Sequence, residues 1–210
     1  MVSLIDKYFS QIDLDAITTA VEKAEMSTSG ELAVELSSHS RNWIKERLIH
    51  SLVFALICTV SALYFTREVN WGIYYNTTQA ILWGAIGFVI AYFGWGRFLR
   101  RTERRRRAVW KHALNRFHRL TPTRGHTGVL IFVSLEEEQA AIVADTAIAS
   151  KVPPDYWHAP QAMIAKAMSK GRHVEGIIQA IETIAVELAI YFPRESDDIN
   201  ELPDNPEIVE

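Results

Sequence analysis

Three carboxylates stand where this chain could hold a hard cation. Asp145 directly follows an apolar segment of strand length, Glu31 begins an alternating segment, and Glu175 begins a helical one. Carboxylate oxygens are ligands that Ca²⁺ and Mg²⁺ prefer, although calcium needs six or more oxygens. Asp145 is the leading metal candidate, with Glu31 and Glu175 as companions. The alternative is that Asp145 ends a strand in an ordinary turn and Glu175 stabilises a helix N-terminus.

Histidines offer weaker candidates for acid–base chemistry. His158 and Asp155 could move a proton together; the alternative is a surface loop in which Trp157 docks on the domain. His112 and His118 are expected to face solvent or lipid headgroups. The sequence contains no Walker loop, dinucleotide-binding glycine loop, zinc-protease motif or nucleophile elbow, so the catalytic residues stay unknown.

An arginine-rich segment carries seven arginines between residues 97 and 107. A basic cluster can bind anionic lipid headgroups, which contributes about 1 kcal/mol per residue, or it can bind nucleic acid. Its position directly after an apolar run favours lipid over nucleic acid. The residues predicted to contact headgroups are Arg97, Arg100, Arg101, Arg104 and Arg105.

Two apolar runs could position such a cluster at a membrane. Residues 48–66 and 69–96 contain no Lys, Arg, Asp or Glu. About 20 apolar residues in a helix cross the hydrocarbon core, so the runs predict transmembrane helices at about 48–66 and 78–98. The alternative, two buried helices of a soluble protein, is disfavoured because these runs are long and lack a polar stripe.

The basic residues set the predicted orientation. Arg41, Lys45 and Arg47 precede the first run, seven arginines follow the second, and the connecting loop has only Arg67. The positive-inside rule therefore places both termini in the cytoplasm. We expect a multi-pass protein of the inner (plasma) membrane.

The remaining segments predict one soluble domain that the hairpin interrupts. A single strand leaves its backbone hydrogen-bonding groups unpaired, so the strand at 31–37 needs partners from beyond the hairpin. Apolar and alternating runs predict those strands at 128–133 and 140–144, and helical spacing predicts helices elsewhere. The predicted class is α/β: a small α/β sandwich, with a short mixed sheet and helices on its faces, interrupted by a two-helix transmembrane hairpin. The predicted divisions are residues 1–46 and 100–193 for the soluble domain, 47–99 for the hairpin, and 194–210 for an acidic mobile tail.

Four motifs follow one another along the chain: Thr28-Ser-Gly-Glu31 before a strand, Thr127-Gly-Val-Leu-Ile-Phe-Val-Ser134, Ile142-Val-Ala-Asp145, and Asp198-Ile-Asn-Glu-Leu-Pro203 near the end. Taken in this order, they resemble the TPM domain family. The resemblance is to the bacterial membrane-attached branch and covers most of the chain outside the hairpin. It implies an α/β sandwich, and weak acid phosphatase activity and divalent-metal binding are associated with some members.

The turn after the last predicted strand departs from that family. Members often have Asp-Arg-Gly-Ile there, whereas this chain has Asp145-Thr-Ala-Ile148. The change removes a cation and a flexible backbone position, which puts a site on that turn in doubt. The resemblance implies no certain cofactor; Ca²⁺ and Mg²⁺ are the candidates.

The expected function is a non-enzymatic binding or accessory module on the cytoplasmic face. Its expected partners are anionic lipids and a membrane or cytoplasmic protein, with no nucleic acid. The alternative is a weak metal-dependent phosphatase or other hydrolase. A transporter or channel is disfavoured because the two spans have no acid or base deep in the membrane, which leaves no ion path unless many copies assemble.

Overall fold

The computed structural model describes residues 4–40, 43–66, 68–69, 73–74, 76–99, 102–120, 123–195 and 199–209. The helices are α1 Leu4–Tyr8, α2 Gln11–Glu25, α3 Trp43–Phe65, α4 Thr77–Leu99, α5 Thr102–Leu120, α6 Thr146–Ala149, α7 His158–Met168 and α8 His173–Tyr191, with a 3₁₀ turn at Pro154–Trp157. The strands are β1 Glu31–Ser37, β2 Glu68–Val69, β3 Ile73–Tyr74, β4 Gly128–Ser134, β5 Gln139–Ala144 and β6 Glu207–Val209.

The chain has a mixed α/β fold around a four-stranded sheet. The strand order is β5-β4-β1-β6, with β1 parallel to β4 and β6, and β4 antiparallel to β5. Every residue of β1 and β4 is buried, as in strands that are covered on both faces. The two central strands are neighbours in space although α3 and α4 lie between them in sequence.

Alternation along β1 divides its side chains between two apolar cores. Leu32, Val34 and Leu36 belong to a core with residues of α1, α2, α7 and α8. Ala33 belongs to a second core with residues of α5, among them Val109 and Phe117. Helices therefore cover both faces of the sheet, and a one-residue register shift would exchange the two sets of side chains.

Local signals set the helix boundaries. Ser10 and Asp13 form a capping box at the start of α2. Helix α7 begins at His158, two residues before Pro160, and α8 begins at His173. Gly176 lets α8 approach α7 closely, because a Cβ there would overlap the methyl group of Ala167.

The chain divides into two compact units, one of residues 1–41 with 105–210 and one of residues 42–104. The second unit consists of α3, α4 and the short β2–β3 pair. Trp43–Phe65 and Thr77–Gly94 are long and apolar enough to cross a membrane, with mean hydropathies of 2.1 and 1.3. Only 11% and 17% of those two segments are buried, so most of their apolar side chains face outward.

Small residues allow α3 and α4 to pack together. A Cβ added at Gly87 would lie 2.6 Å from Cys58 Sγ, and one at Gly84 would overlap Thr59. Gly94, by contrast, has nothing within 4 Å. Two glycines three residues apart therefore mark the contact between the helices, although they lack the four-residue spacing of the common dimer motif.

The prediction of a mobile acidic tail at 194–210 is wrong for residues 199–209. Glu207–Val209 forms β6 and pairs with β1 from Glu35 to Ser37. Leu202 is 5% exposed and belongs to the core under α5. Composition favoured mobility because the segment is acidic and rich in proline, but an open sheet edge and a pocket for one leucine order it.

Candidate functional site

Glu31 and Asp145 lie at the same edge of the sheet. Glu31 pairs in register with Gly128, the first residue of β4, and the Asp145 amide donates to the Gly128 carbonyl at 2.9 Å. The two backbones thus flank one residue of β4, which separates them by roughly 10 Å at ordinary strand spacing. Parallel pairing of β1 with β4, and the reversal into β5, bring these two predicted site residues to one edge.

The carboxylate of Asp145 is engaged in its own turn. Its Oδ1 accepts from the backbone amide of Thr146 at 2.6 Å, which caps α6. Its Oδ2 lies 3.3 Å from Nδ1 of His126, a residue with a positive φ of 54°. These contacts match the alternative proposed from sequence, a strand-end residue that organises a turn, and a cation at Asp145 stays a prediction.

Glu31 holds the C-terminal segment against the sheet. Its side chain is buried, and Oε2 accepts from the backbone amides of Glu201 and Leu202, each at 3.2 Å. An amide that donates to a carboxylate stabilises the ionised form. The side chain thus satisfies two amides that β6 does not pair.

Glu175 does not join the other two carboxylates. It lies in the first turn of α8, where its Oε2 is 3.4 Å from an exposed Arg172 nitrogen. The opposite end of α8 is the one that meets β1, because the Phe192 carbonyl accepts from the Ser29 amide. A helix of 19 residues spans about 28 Å. Within the described part of the chain, no three His, Cys, Asp or Glu side chains are grouped so that they could hold a metal ion.

Glu25 is a buried carboxyl that sequence reasoning missed. It is 6% exposed, and its Oε1 accepts from the Leu32 amide at 2.9 Å. Burial raises the pKa of Glu25 to about 8, the Leu32 amide opposes that change, and Glu31 and Asp204 add to it. Asp204 raises the pKa of Glu25 because its carboxylate lies close to that of Glu25. This carboxyl pair connects the end of α2 to the C-terminal segment.

A second buried carboxyl, Glu35, lies in the middle of β1 and is completely buried. Its Oε1 accepts from Nε of Arg116 at 2.8 Å, and Nη2 of Arg116 donates to Glu207 at 2.7 Å. Burial raises the pKa of Glu35, and the hydrogen bond and charge of Arg116 oppose that change. Oε2 of Glu35 has no hydrogen-bond partner among the described atoms. A Glu inside an otherwise apolar strand was the signal that could have identified this cluster.

The loop before α7 follows the alternative proposed from sequence. Trp157 is 8% exposed and belongs to the main core, whereas His158 is exposed. Nη2 of Arg106 donates to Nδ1 of His158 at 2.9 Å. Nε2 of His158 lies 4.0 Å from a carboxylate oxygen of the fully exposed Asp155. Trp157 therefore fixes the loop, and the pair of His158 and Asp155 stays at the surface.

The five arginines predicted to contact headgroups differ in their surroundings. Arg100 and Arg101 lie outside the described residues, and Arg97 is described in backbone only. Arg104 is exposed. Arg105 is partly buried and donates to the Glu137 carbonyl at 3.5 Å, because its position turns it toward the sheet.

The expectation that His112 faces solvent or lipid headgroups is wrong. The ring of His112 stacks on Phe132 with centroids 5.1 Å apart, and its Nδ1 lies 3.1 Å from the Ser40 carbonyl. Position 112 lies beside the buried side of α5. The high number of arginines in that segment obscured this buried side in the sequence. His118 is exposed, as expected.

Comparison with known proteins supports the fold. No family model and no curated protein matches this chain. The chain is similar to the NMR structure of the BA42 protein from the psychrophilic bacterium Bizionia argentinensis, with a TM-score of 0.58 and 21% sequence identity. That match covers 98% of this chain and 99% of the other. At this identity the similarity shows a shared fold and no more.

Proposed function

We propose that this protein is a membrane-anchored, TPM-like binding or accessory module that works at the cytoplasmic face of the plasma membrane. In this proposal α3 and α4 form a transmembrane hairpin. The soluble domain, assembled from the chain on either side of the hairpin, contacts anionic lipid and a protein partner. The TPM assignment rests on the sequence motifs, which fall at the entry to β1, along β4 and at the end of β5.

One observation carries the proposal. Two helices of 23 residues each form a unit of their own and leave large apolar side chains exposed along their length. These include Leu56 at 63%, Ile57 at 55%, Ile81 at 69% and Ile90 at 62%. Apolar surface of that extent is unfavourable in water and is favourable in hydrocarbon. A hairpin also returns the chain to its starting side, which lets β1 pair with β4.

The carboxylates support a binding role over a catalytic one. Asp145 caps α6, Glu31 accepts two amides of the C-terminal segment, and Glu25 accepts the Leu32 amide. Each therefore has a structural role that a reaction would have to interrupt. The binding role is the function that this geometry favours.

Membrane partition tests the anchor. The full chain should stay in the membrane pellet after an alkaline carbonate wash. Replacing Leu56 and Ile57 with lysine should shift it toward the supernatant, because a lysine at the centre of a span costs about 3 kcal/mol. Ile12→Lys is the matched control, since Ile12 is 79% exposed on α2. Release of the unaltered chain by carbonate would overturn the proposal.

A further inference from the structure

Helix α5 has a second, exposed stripe beside its buried side. The buried side is formed by Val109, Ala113 and Phe117, which are 0%, 0% and 6% exposed. The adjoining side exposes residues at the helical spacing i, i+3, i+4, i+7 and i+11. We call this set the outer stripe: Arg107, Trp110, Lys111, Leu114 and His118.

The outer stripe combines apolar surface with uncompensated positive charge. Trp110 and Leu114 are each 42% exposed. Arg107 and Lys111 make no hydrogen bond or ion pair with any residue that the structure describes. Arg116 of the same helix, by contrast, points inward to Glu35. The charge of the stripe is therefore available to a partner outside the protein.

We propose that the outer stripe of α5 docks on an anionic lipid surface, with Trp110 and Leu114 at the headgroup boundary. Arg107 and Lys111 then contact lipid phosphates. Tryptophan prefers this boundary because its ring is amphipathic, and basic side chains are attracted to anionic lipid there. The proposal deepens the proposed function and rests on it, because the hairpin supplies the membrane.

The chain length keeps the stripe within reach of that membrane. Arg107 follows Leu99, the last residue of α4, by eight positions. Even a fully extended chain of that length spans no more than roughly 28 Å. With α4 across the bilayer, α5 must begin close to the headgroups. Its basic stripe can then replace the arginines before it as the lipid contact of the folded domain.

Helix α8 offers a comparison on the same unit. Val186 and Ile190 are 68% and 67% exposed, and their stripe contains the exposed acid Glu182. An anionic surface repels such a stripe, although its two apolar side chains are more exposed than Trp110 and Leu114. Of these two stripes, only the outer stripe combines an aromatic surface with free cations. Lipid docking requires that combination.

Fluorescent labels on the full chain test the docking. Leu114→Cys and Ile190→Cys are made in a Cys58→Ala background, labelled, and reconstituted in phosphatidylcholine vesicles with and without phosphatidylglycerol. We expect quenching by brominated lipid at position 114 and several-fold weaker quenching by iodide there than at position 190. Adding Arg107→Glu and Lys111→Glu should bring iodide quenching at 114 to the level at 190.

The outcomes separate this proposal from the proposed function. A chain that fails to stay in the vesicles after a carbonate wash contradicts the anchor and the docking together. A chain that stays, with equal iodide quenching at 114 and 190, contradicts the docking alone. Equal protection of position 114 in both lipid compositions would overturn the assignment of anionic lipid as the partner.

Discussion

Arg116 joins Glu35, in the middle of β1, to Glu207 on the last strand. Its Nε lies 2.8 Å from Glu35, and its Nη2 lies 2.7 Å from Glu207. The side chain of Glu35 is 0% exposed, so Arg116 supplies the only counter-charge that touches it among the described residues. One guanidinium thereby connects α5, the central strand and the C-terminal segment.

Removing Arg116 should destabilise the soluble unit strongly. Arg116→Ala leaves a buried carboxyl without its partner, which typically costs about 3–5 kcal/mol. Glu35→Gln in the same chain should recover much of that loss because no charge is then buried. Denaturant unfolding of the detergent-purified protein measures both effects. Arg107→Ala, on the exposed side of the same helix, is the control, and equal destabilisation by the two arginine variants would contradict the account.

From the raised pKa of Glu25 we predict that the free energy of unfolding falls as the pH rises. The pKa of Glu25 is about 8 in the folded protein, against an ordinary value of 4.5. The folded state therefore holds a proton that the unfolded chain releases, so this contribution is complete below about pH 4.5 and is lost as the pH rises to 8. Unfolding midpoints measured across that range give the slope.

Glu25→Gln should flatten this pH dependence. An amide oxygen can still accept from Leu32, while ionisation is removed, so the variant should be more stable than the unaltered protein at pH 8 by on the order of a few kcal/mol. Glu22→Gln changes an exposed acid one turn earlier and should leave the slope in place. An unchanged slope in Glu25→Gln would show that another group is responsible.

We predict that the C-terminal segment contributes to stability through the buried side chain of Leu202. Leu202→Ala removes a side chain that is 5% exposed, and such truncations cost about 2–5 kcal/mol. The substitution should also let the amide hydrogens of β6 exchange faster, because the buried Leu202 holds the segment that leads into this strand. Ile199→Ala is the control because Ile199 is 73% exposed. Hydrogen exchange in Glu207–Val209 that equals that of an unfolded peptide would return the segment to the mobile tail expected from composition.

We predict different results for two substitutions of Asp145. Asp145→Ala removes the cap of α6, which costs about 1 kcal/mol, whereas Asp145→Asn retains a good capping residue. Thermal unfolding with and without Ca²⁺, Mg²⁺ or Mn²⁺ compares them. A capping role predicts that the ions shift all three proteins equally. Metal-dependent stabilisation, or hydrolysis of a phosphate ester, that both variants lose would establish the predicted metal site instead.

Local patterns were sufficient to predict the central part of the fold. The apolar run of β4 and the alternation before Ser37 identify strands because period and composition act over a few neighbouring residues. The strand β6 has no such signal: three residues between prolines and acids form a strand only because an open edge and Arg116 meet them.

The candidate site shows the same division. Sequence placed Glu31 and Asp145 at strand ends correctly, and strand order then brings them to one edge. It grouped Glu175 with them wrongly in space, because a pattern of residue types does not reveal which end of α8 faces the sheet. Glu25 was missed because Asp204, which raises its pKa, is far from it in the chain.

We propose that a hairpin returns the chain to one side of a membrane, where β1 and β4 pair. Reporter fusions measure this directly. A reporter that is active only outside the cytoplasm should be active after Asn76 and inactive after Glu210, and a cytoplasmic reporter should show the reverse. Cytoplasmic activity at both positions, or an extracytoplasmic Glu210, would contradict the account.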